Sequence, residues 1–140
     1  MAHQLTRKGF NEALRTLGIE ARHLGVLTTI EAQGALSQTR FIELLGHDKS
    51  VVVVIVDDLE RLGLARRRRD PGDRRAYAVE ITDEGRKRLK KAKQIAERFG
   101  RAVFAGMSQE DRKRLDDLLE RVIFNCQGQL PRSKQEASSR

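Results

Sequence analysis

The sequence predicts a mainly α-helical chain that carries one small β-hairpin. Two observations predict it. Apolar residues recur at three- and four-residue intervals along most of the 140 residues, and glycines close nearly every such run. The period drops to two only beside Asp70-Pro71-Gly72-Asp73, a strong turn cluster. The length fits one domain, or one domain with an added helical arm. A chain of this size can bury about two-thirds of its unfolded surface without staples.

The elements follow in order. Phe10, Ala13, Leu14 and Leu17 lie on one helical face, and Gly18 stops the run. A second helix is predicted over Glu20–Gln33, with Leu24, Leu27 and Ile30 inward and Gly34 as its stop. Glu20 is a poor N-cap, although its carboxylate suits the helix dipole. Ser37 caps a short helix through Leu45, with Phe41, Leu44 and Leu45 apolar; Gly46 ends it, and Asp48 opens the next helix. Two helices joined by so short a glycine-containing turn form a helix-turn-helix.

Asp48–Leu62 is ambiguous, because Val51–Val56 are six consecutive β-branched residues. Alone they read as a buried strand, and Asp57-Asp58 then resembles the acidic end of a strand in a phosphate-accepting α/β signalling domain. Helix is the preferred reading. Val52, Val56 and Leu59 keep a helical register ending at Gly63, and no further buried strands accompany the run. Leu64–Arg68 and the alternating Tyr77, Val79 and Ile81 then make a hairpin with arginines on both sides of its tip. Thr82 caps a long helix to about Ala105, whose Leu89, Ala92, Ala96, Phe99 and Val103 step by three and four like a coiled-coil seam. Gly106 breaks it. Ser108 and Asp111 start a last helix with the stripe Leu115, Leu118, Leu119 and Val122, and from Gly128 a polar tail is expected.

Charge narrows the function. Lys and Arg number 28 against 20 Asp and Glu, so the net charge is +8 and the pI about 10.2. The excess is concentrated: Arg61–Arg75 holds seven Arg against two Asp, and Arg86–Arg101 holds eight basic residues against one Glu. Phe41–Glu60, with five acids and one Lys, is net negative. No apolar run reaches the roughly 20 residues of a membrane span, and Met1–Gln4 carries no signal-peptide core. The single Cys126 excludes an internal disulfide and fits a reducing cytoplasm. No Trp and one Tyr leave little for stacking on single-stranded bases. A basic chain with these properties is expected to meet a polyanion.

Helix, helix, turn, helix, hairpin is the order of a winged helix-turn-helix, which lays the helix after the turn in a DNA major groove. From about Leu17 to Leu89 the chain resembles the MarR family of bacterial transcriptional regulators. The matching stretches are Leu17-Gly18-Ile19, Gly34-Ala35-Leu36-Ser37-Gln38, Asp57-Asp58-Leu59-Glu60-Arg61-Leu62-Gly63-Leu64 and, most specifically, Asp70-Pro71-Gly72-Asp73-Arg74-Arg75 leading to Val79-Glu80-Ile81-Thr82-Asp83-Glu84-Gly85. The resemblance implies a cytoplasmic homodimer on double-stranded DNA, released as a repressor by a small aromatic or phenolic effector, with no cofactor, catalytic residue, metal or membrane partner.

The resemblance also implies a domain plan: an N-terminal dimerisation helix at 1–18, the winged helix-turn-helix at 19–95, C-terminal dimerisation helices at 96–127 and a disordered tail at 128–140. It implies DNA contacts from Ser37, Gln38 and Thr39 at a helix N-terminus, from Lys49, Ser50 and Val51 on the reading helix, and from Arg66, Arg67, Arg68, Arg69 and Arg74 on phosphates. Asp73 would orient Arg75 in the minor groove, consistent with a carboxylate gripping a guanidinium two residues away. The chain departs from the family where Ser, Thr and Arg are usual, since Val51, Val53 and Val54 carry no hydrogen-bond donor. Recognition is therefore expected to lean on the hairpin and on DNA shape, with Lys49 and Ser50 as the polar readers. A non-specific architectural DNA binder is the main alternative.

The remaining features read as structural. Arg86–Lys93 is a solvated helix face. Cys126 reads as a buried or idle thiol rather than a redox sensor. His3, His23 and His47 lack metal-ligand spacing. No glycine-rich phosphate loop or nucleophile–base motif supports an enzyme.

Overall fold

A computed structural model of the chain describes residues 1–46, 48–70 and 72–129, leaving aside the side chains of 73–75 and 127–129. His47, Pro71 of the turn cluster and 130–140 of the expected tail lie outside the described residues. The chain forms two compact units that divide between Val103 and Phe104.

The first unit contains helices α1 (Ala2–Leu14), α2 (Ala21–Gln33), α3 (Gln38–Leu45), α4 (Lys49–Arg61) and α5 (Asp83–Val103), with strands β1 (Leu36–Ser37), β2 (Ala65–Asp70) and β3 (Asp73–Ile81). A 3-10 turn, Arg15–Leu17, follows α1. The strands make an antiparallel sheet in the order β1-β3-β2. β1 is a strand the sequence did not announce. It is two residues long, too short for a period, and exists because Leu36 and Ser37 pair with Val79 and Ala78.

The ambiguous valine run is helical. α4 buries Val52, Ile55, Val56 and Leu59, spaced three, four and seven apart, and leaves Val51 and Val54 outside. β-branched residues are mediocre helix formers, so packing decides the outcome. Val52, Ile55, Val56 and Leu59 share one core with Leu27 and Ile30 of α2, Phe41 of α3 and Leu89 of α5. The strand reading, and with it the phosphate-accepting domain, is thereby overturned.

Three other expectations change. Leu44 does not turn inward; it is exposed, and Ile42 packs on the core instead. The α5 seam is filled from within the chain only in part: Leu89 and Ala92 are buried and Phe99 packs on Phe10 of α1 with ring centroids 5.2 Å apart, but Val103 is exposed. Glu20 is the N-cap of α2, and its backbone N–H donates to His23 Nδ1 at 2.9 Å, so a histidine takes the place usual for Glu or Gln.

The base of the hairpin is a tight joint. Thr82 N–H donates to Leu64 O at 3.1 Å, its hydroxyl donates to Gly63 O at 2.7 Å, and the same oxygen accepts from Gly85 N–H at 3.0 Å. Both feet of the hairpin and the first turn of α5 are thus fastened together. Gly85 is buried here, and a Cβ on it would stand 2.0 Å from Leu64 O and 2.7 Å from Ile81 Cγ1. The Thr-x-x-Gly spacing therefore combines a cap with a close approach.

The second unit is helix α6 (Gln109–Gln129) with its lead-in. Ser108 Oγ accepts from Asp111 N–H at 3.1 Å and donates to the Asp111 carboxylate at 2.7 Å. Arg112 donates to Phe104 O at 2.9 Å with its guanidinium over the Phe104 ring. α6 runs to Gln129, two residues into the expected tail. Within this unit Leu118, Leu119, Val122, Ile123 and Phe124 are exposed, as is Cys126.

Alanine is about 1 kcal/mol better than glycine in a helix interior. Gly85→Ala is nevertheless expected to destabilise the chain by about 1–3 kcal/mol, because the joint has no room to yield. Urea denaturation with an unchanged m-value checks this; equal or greater stability contradicts it.

Candidate nucleic-acid interface

The reading element is built from two caps and a turn. Ser37 Oγ accepts from Arg40 N–H at 3.2 Å and starts α3, with Gln38 half-buried and Thr39 exposed beside it. α3 ends at Gly46, whose φ of +63° is a left-handed conformation that side chains resist. Asp48 then holds the N-cap position of α4 in an extended conformation, without a side-chain capping bond, and Lys49, Ser50 and Val51 occupy the exposed first turn. Val54 is exposed one turn further on.

The hairpin sorts its arginines by alternation. Arg66 and Arg68 share a face with Glu80, which accepts from Arg66 at 2.5 Å and from Arg68 at 3.1 Å. The Arg66 guanidinium holds the Glu80 carboxyl below its ordinary range. Arg67 points the other way. Its backbone N–H donates to Glu60 at 2.7 Å, and its guanidinium bridges Glu60 and Asp57, the latter at 2.6 Å. Burial opposes the Arg67 charge, but hydrogen bonds to Asp57 and Glu60 outweigh it and hold the group above its usual value.

Three of the five arginines expected on phosphates have ion-pair partners inside the chain. Arg67 is a strut between hairpin and reading helix, and Arg66 and Arg68 are held by a carboxylate. Arg69 is exposed, with no ion pair or side-chain hydrogen bond among the described residues. The backbone of β3 starts at Asp73, opposite Asp70. The side chains of Asp73, Arg74 and Arg75 lie outside those described, so their expected fork is not drawn.

Asp57, Glu60 and Glu80 were missed as partners of the arginines. Helical spacing could have found the first two, since Asp57 and Glu60 lie three apart and share a side of α4. A second missed cluster lies beside the first, in the same C-terminal turns of α4. Asp58 accepts from Arg61 at 3.0 Å and Arg22 at 3.2 Å, and lies 3.3 Å from Nε2 of the buried His23. His23 Nδ1 accepts from Glu20, so Nε2 carries the proton toward Asp58. The hydrogen bond from Arg61, then that from His23, hold the Asp58 carboxyl below its ordinary value.

The basic face of α5 is partly committed inside the unit. Arg88 donates to Leu17 O at 2.6 Å, Arg86 to Ile81 O at 3.2 Å, and Lys93 pairs with Glu31 at 2.5 Å. Among the described residues no group of acids, histidines and cysteine has the arrangement of a metal site. No helix among them is long and apolar enough to cross a membrane.

A profile of the MarR family matches residues 17–76. The putative transcriptional regulatory protein for the hcr operon of Thauera aromatica is 31% identical over 117 residues, which span 81% of this chain and 70% of that one. The chain belongs to the MarR family. It is similar also to an uncharacterised HTH-type transcriptional regulator, YdgJ of Bacillus subtilis (strain 168), at 34% identity over 108 residues, 77% of this chain and 66% of the relative. Among solved structures, a cysteine-to-serine variant of MarR from E. coli complexed with operator DNA superposes with a TM-score of 0.80 over 86% of each chain. At 22% identity that likeness is one of fold. The MarR-type fold accounts for the order of elements.

Two expectations follow from the ion pairs. Arg67→Gln should lower stability by about 1–2 kcal/mol, since two carboxylates lose a charge-assisted partner; an unchanged urea midpoint would contradict the strut. A depressed folded-state pKa adds stability above the ordinary carboxylate range and loses it as pH falls through the folded value. Wild type should therefore exceed Asp58→Asn in stability at pH 7, with the gap closing as pH drops below about 4. Denaturation midpoints across that range check the sign.

Proposed function

We propose that this MarR-family chain is a homodimeric transcriptional repressor that binds a pseudo-palindromic DNA site and is released by a small organic anion. The observation that carries the reading is the pairing of an outward-facing first turn of α4 with an arginine-bearing hairpin, fastened to the same helix through Arg67. Lys49, Ser50 and Val51 then lie in the major groove. Ser37, Gln38 and Thr39 lie against the backbone, Arg69 and Arg74 on phosphates, and Arg75, oriented by Asp73, in the minor groove.

A second copy of the chain is the proposed cover for α6. Its Leu118, Leu119, Val122, Ile123 and Phe124 are about half to three-quarters exposed, an apolar stripe that water leaves unfavourably placed. With two copies, the reading helices address half-sites about 34 Å apart.

The effector reading is supported by a cleft of about 720 Å³ between α1, the start of α2 and the end of α4. Arg7, Lys8, Arg15, Arg22 and Arg61 line it together with Glu12, Glu20 and Asp58; these acids pair with Arg15, Arg22 and Arg61, and Arg7 and Lys8 have no ion pair among the described residues. That size suits a small ligand, and the lining suits a carboxylate or phenolate. A ligand there touches the C-terminal end of α4, so it can favour one placement of the reading helix over another. The proposed setting is cytoplasmic, and the reading assigns no catalytic chemistry to the chain.

Affinity for the DNA upstream of the protein's own coding region, relative to random duplex at fixed salt, tests the reading. A ratio of at least about a thousandfold is expected. A ratio near one would indicate the architectural alternative. In the same assay Arg75→Ala should weaken binding to every duplex and relax any A·T preference beside the major-groove site. Unchanged affinity and selectivity would remove the minor-groove role.

A further inference from the structure

α4 presents an apolar ridge where a reading helix needs to recognise bases. Val51 is 40% exposed and Val54 50%, while Val52, Ile55, Val56 and Leu59 of the same helix are fully buried. The core therefore has no use for the two outer valines. Their surroundings are polar rather than apolar, and mixed in charge: the exposed Asp48 at the N-cap lies three residues before Val51. Lys49 and Ser50 precede them on exposed positions, the positive end of the helix dipole lies at the same turn, and exposed Arg69 stands on the adjoining hairpin. Asp57, the next outward acid along α4, is held by Arg67. An apolar ridge framed in this way fits a polyanion that itself exposes small apolar groups.

Duplex DNA offers one such group. In the major groove the bases present donors and acceptors, and the single apolar feature is the C5 methyl of thymine. Val51 and Val54 are three residues apart, about 4.5 Å along the helix axis at about 1.5 Å per residue. A separation this short keeps both side chains within reach of neighbouring base pairs. We infer that Val51 and Val54 form a methyl-reading ridge that selects thymines on neighbouring base pairs, so that this regulator specifies its site through apolar contact rather than through donors on α4. The inference rests on the placement of α4 in the major groove given above.

The experiment uses the full chain and a duplex selected by it from a random-sequence pool. Each thymine of that duplex is replaced in turn by uracil, which removes the major-groove methyl and leaves the Watson–Crick and minor-groove edges in place. One or two positions per half-site should each lose roughly three- to fivefold in affinity, as expected for a buried methyl. Val54→Ala and Val51→Ala provide the second arm. Both sites are exposed and alanine favours helix, so the variants fold, as circular dichroism would verify. Each variant should bind the thymine duplex more weakly and should become insensitive to uracil at one position, a non-additive cycle.

Uracil tolerated within measurement error at every position would overturn the ridge. So would variants that lose affinity equally for thymine and uracil duplexes, or selected half-sites dominated by guanine. A pool that yields no enriched duplex defeats the DNA-reading proposal and the ridge with it. An enriched duplex that is indifferent to uracil defeats only the ridge.

Discussion

The hydroxyl of Thr82 is the smallest part on which the reading surface depends. It satisfies Gly63 O at the end of α4, accepts Gly85 N–H at the start of α5, and sits beside a backbone bond to Leu64 that closes the foot of β2. Three elements are fixed relative to one another by one side chain and one missing Cβ. Without that joint, the angle between α4 and the hairpin would rest on Arg67 and the shared core alone. Sites held on rigid elements are useful because sub-ångström errors in placement matter.

Arg67 extends the same constraint outward. It ties the middle of β2 to the last two turns of α4 through Asp57 and Glu60. The hairpin thus moves with the helix beside it. A ligand in the cleft, as proposed above, would act on the end of that composite body rather than on α4 alone. The chemistry at the two ends of α4 is different in kind: buried His23 and its carboxylate partner at one end, exposed valines and a lysine at the other.

Much of this was legible in residue order. Glycines and Ser37 marked the helix ends, and the turn cluster at 70–73 marked the hairpin. β1 was not legible, because its identity is a partnership with β3 and not a pattern of its own. The valine run was ambiguous because β-branched residues report local preference, while the core opposite them decides the outcome. The Arg66–Glu80 pair was hidden for a geometric reason. Counting back from Asp70 opposite Asp73 would set Arg66 against Tyr77, but the irregularity between Arg69 and Asp70 shifts the ladder so that Glu80 stands there. His23 looked like a spare histidine until two elements distant in sequence met around it.

The carboxylates around the hairpin have a consequence for how the molecule finds its target. Glu80 lies against two of the arginines, and Asp57 and Glu60 lie against a third. Much of the apparent positive charge is spent internally and is not offered to whatever duplex drifts past. Indiscriminate electrostatic grip keeps a protein lingering on irrelevant sequence. On the proposed placement of the hairpin, partial neutralisation would shorten each such stop, so that a genome-wide search would proceed by brief, frequent visits and the lasting stay would be reserved for sequence that also matches at α4.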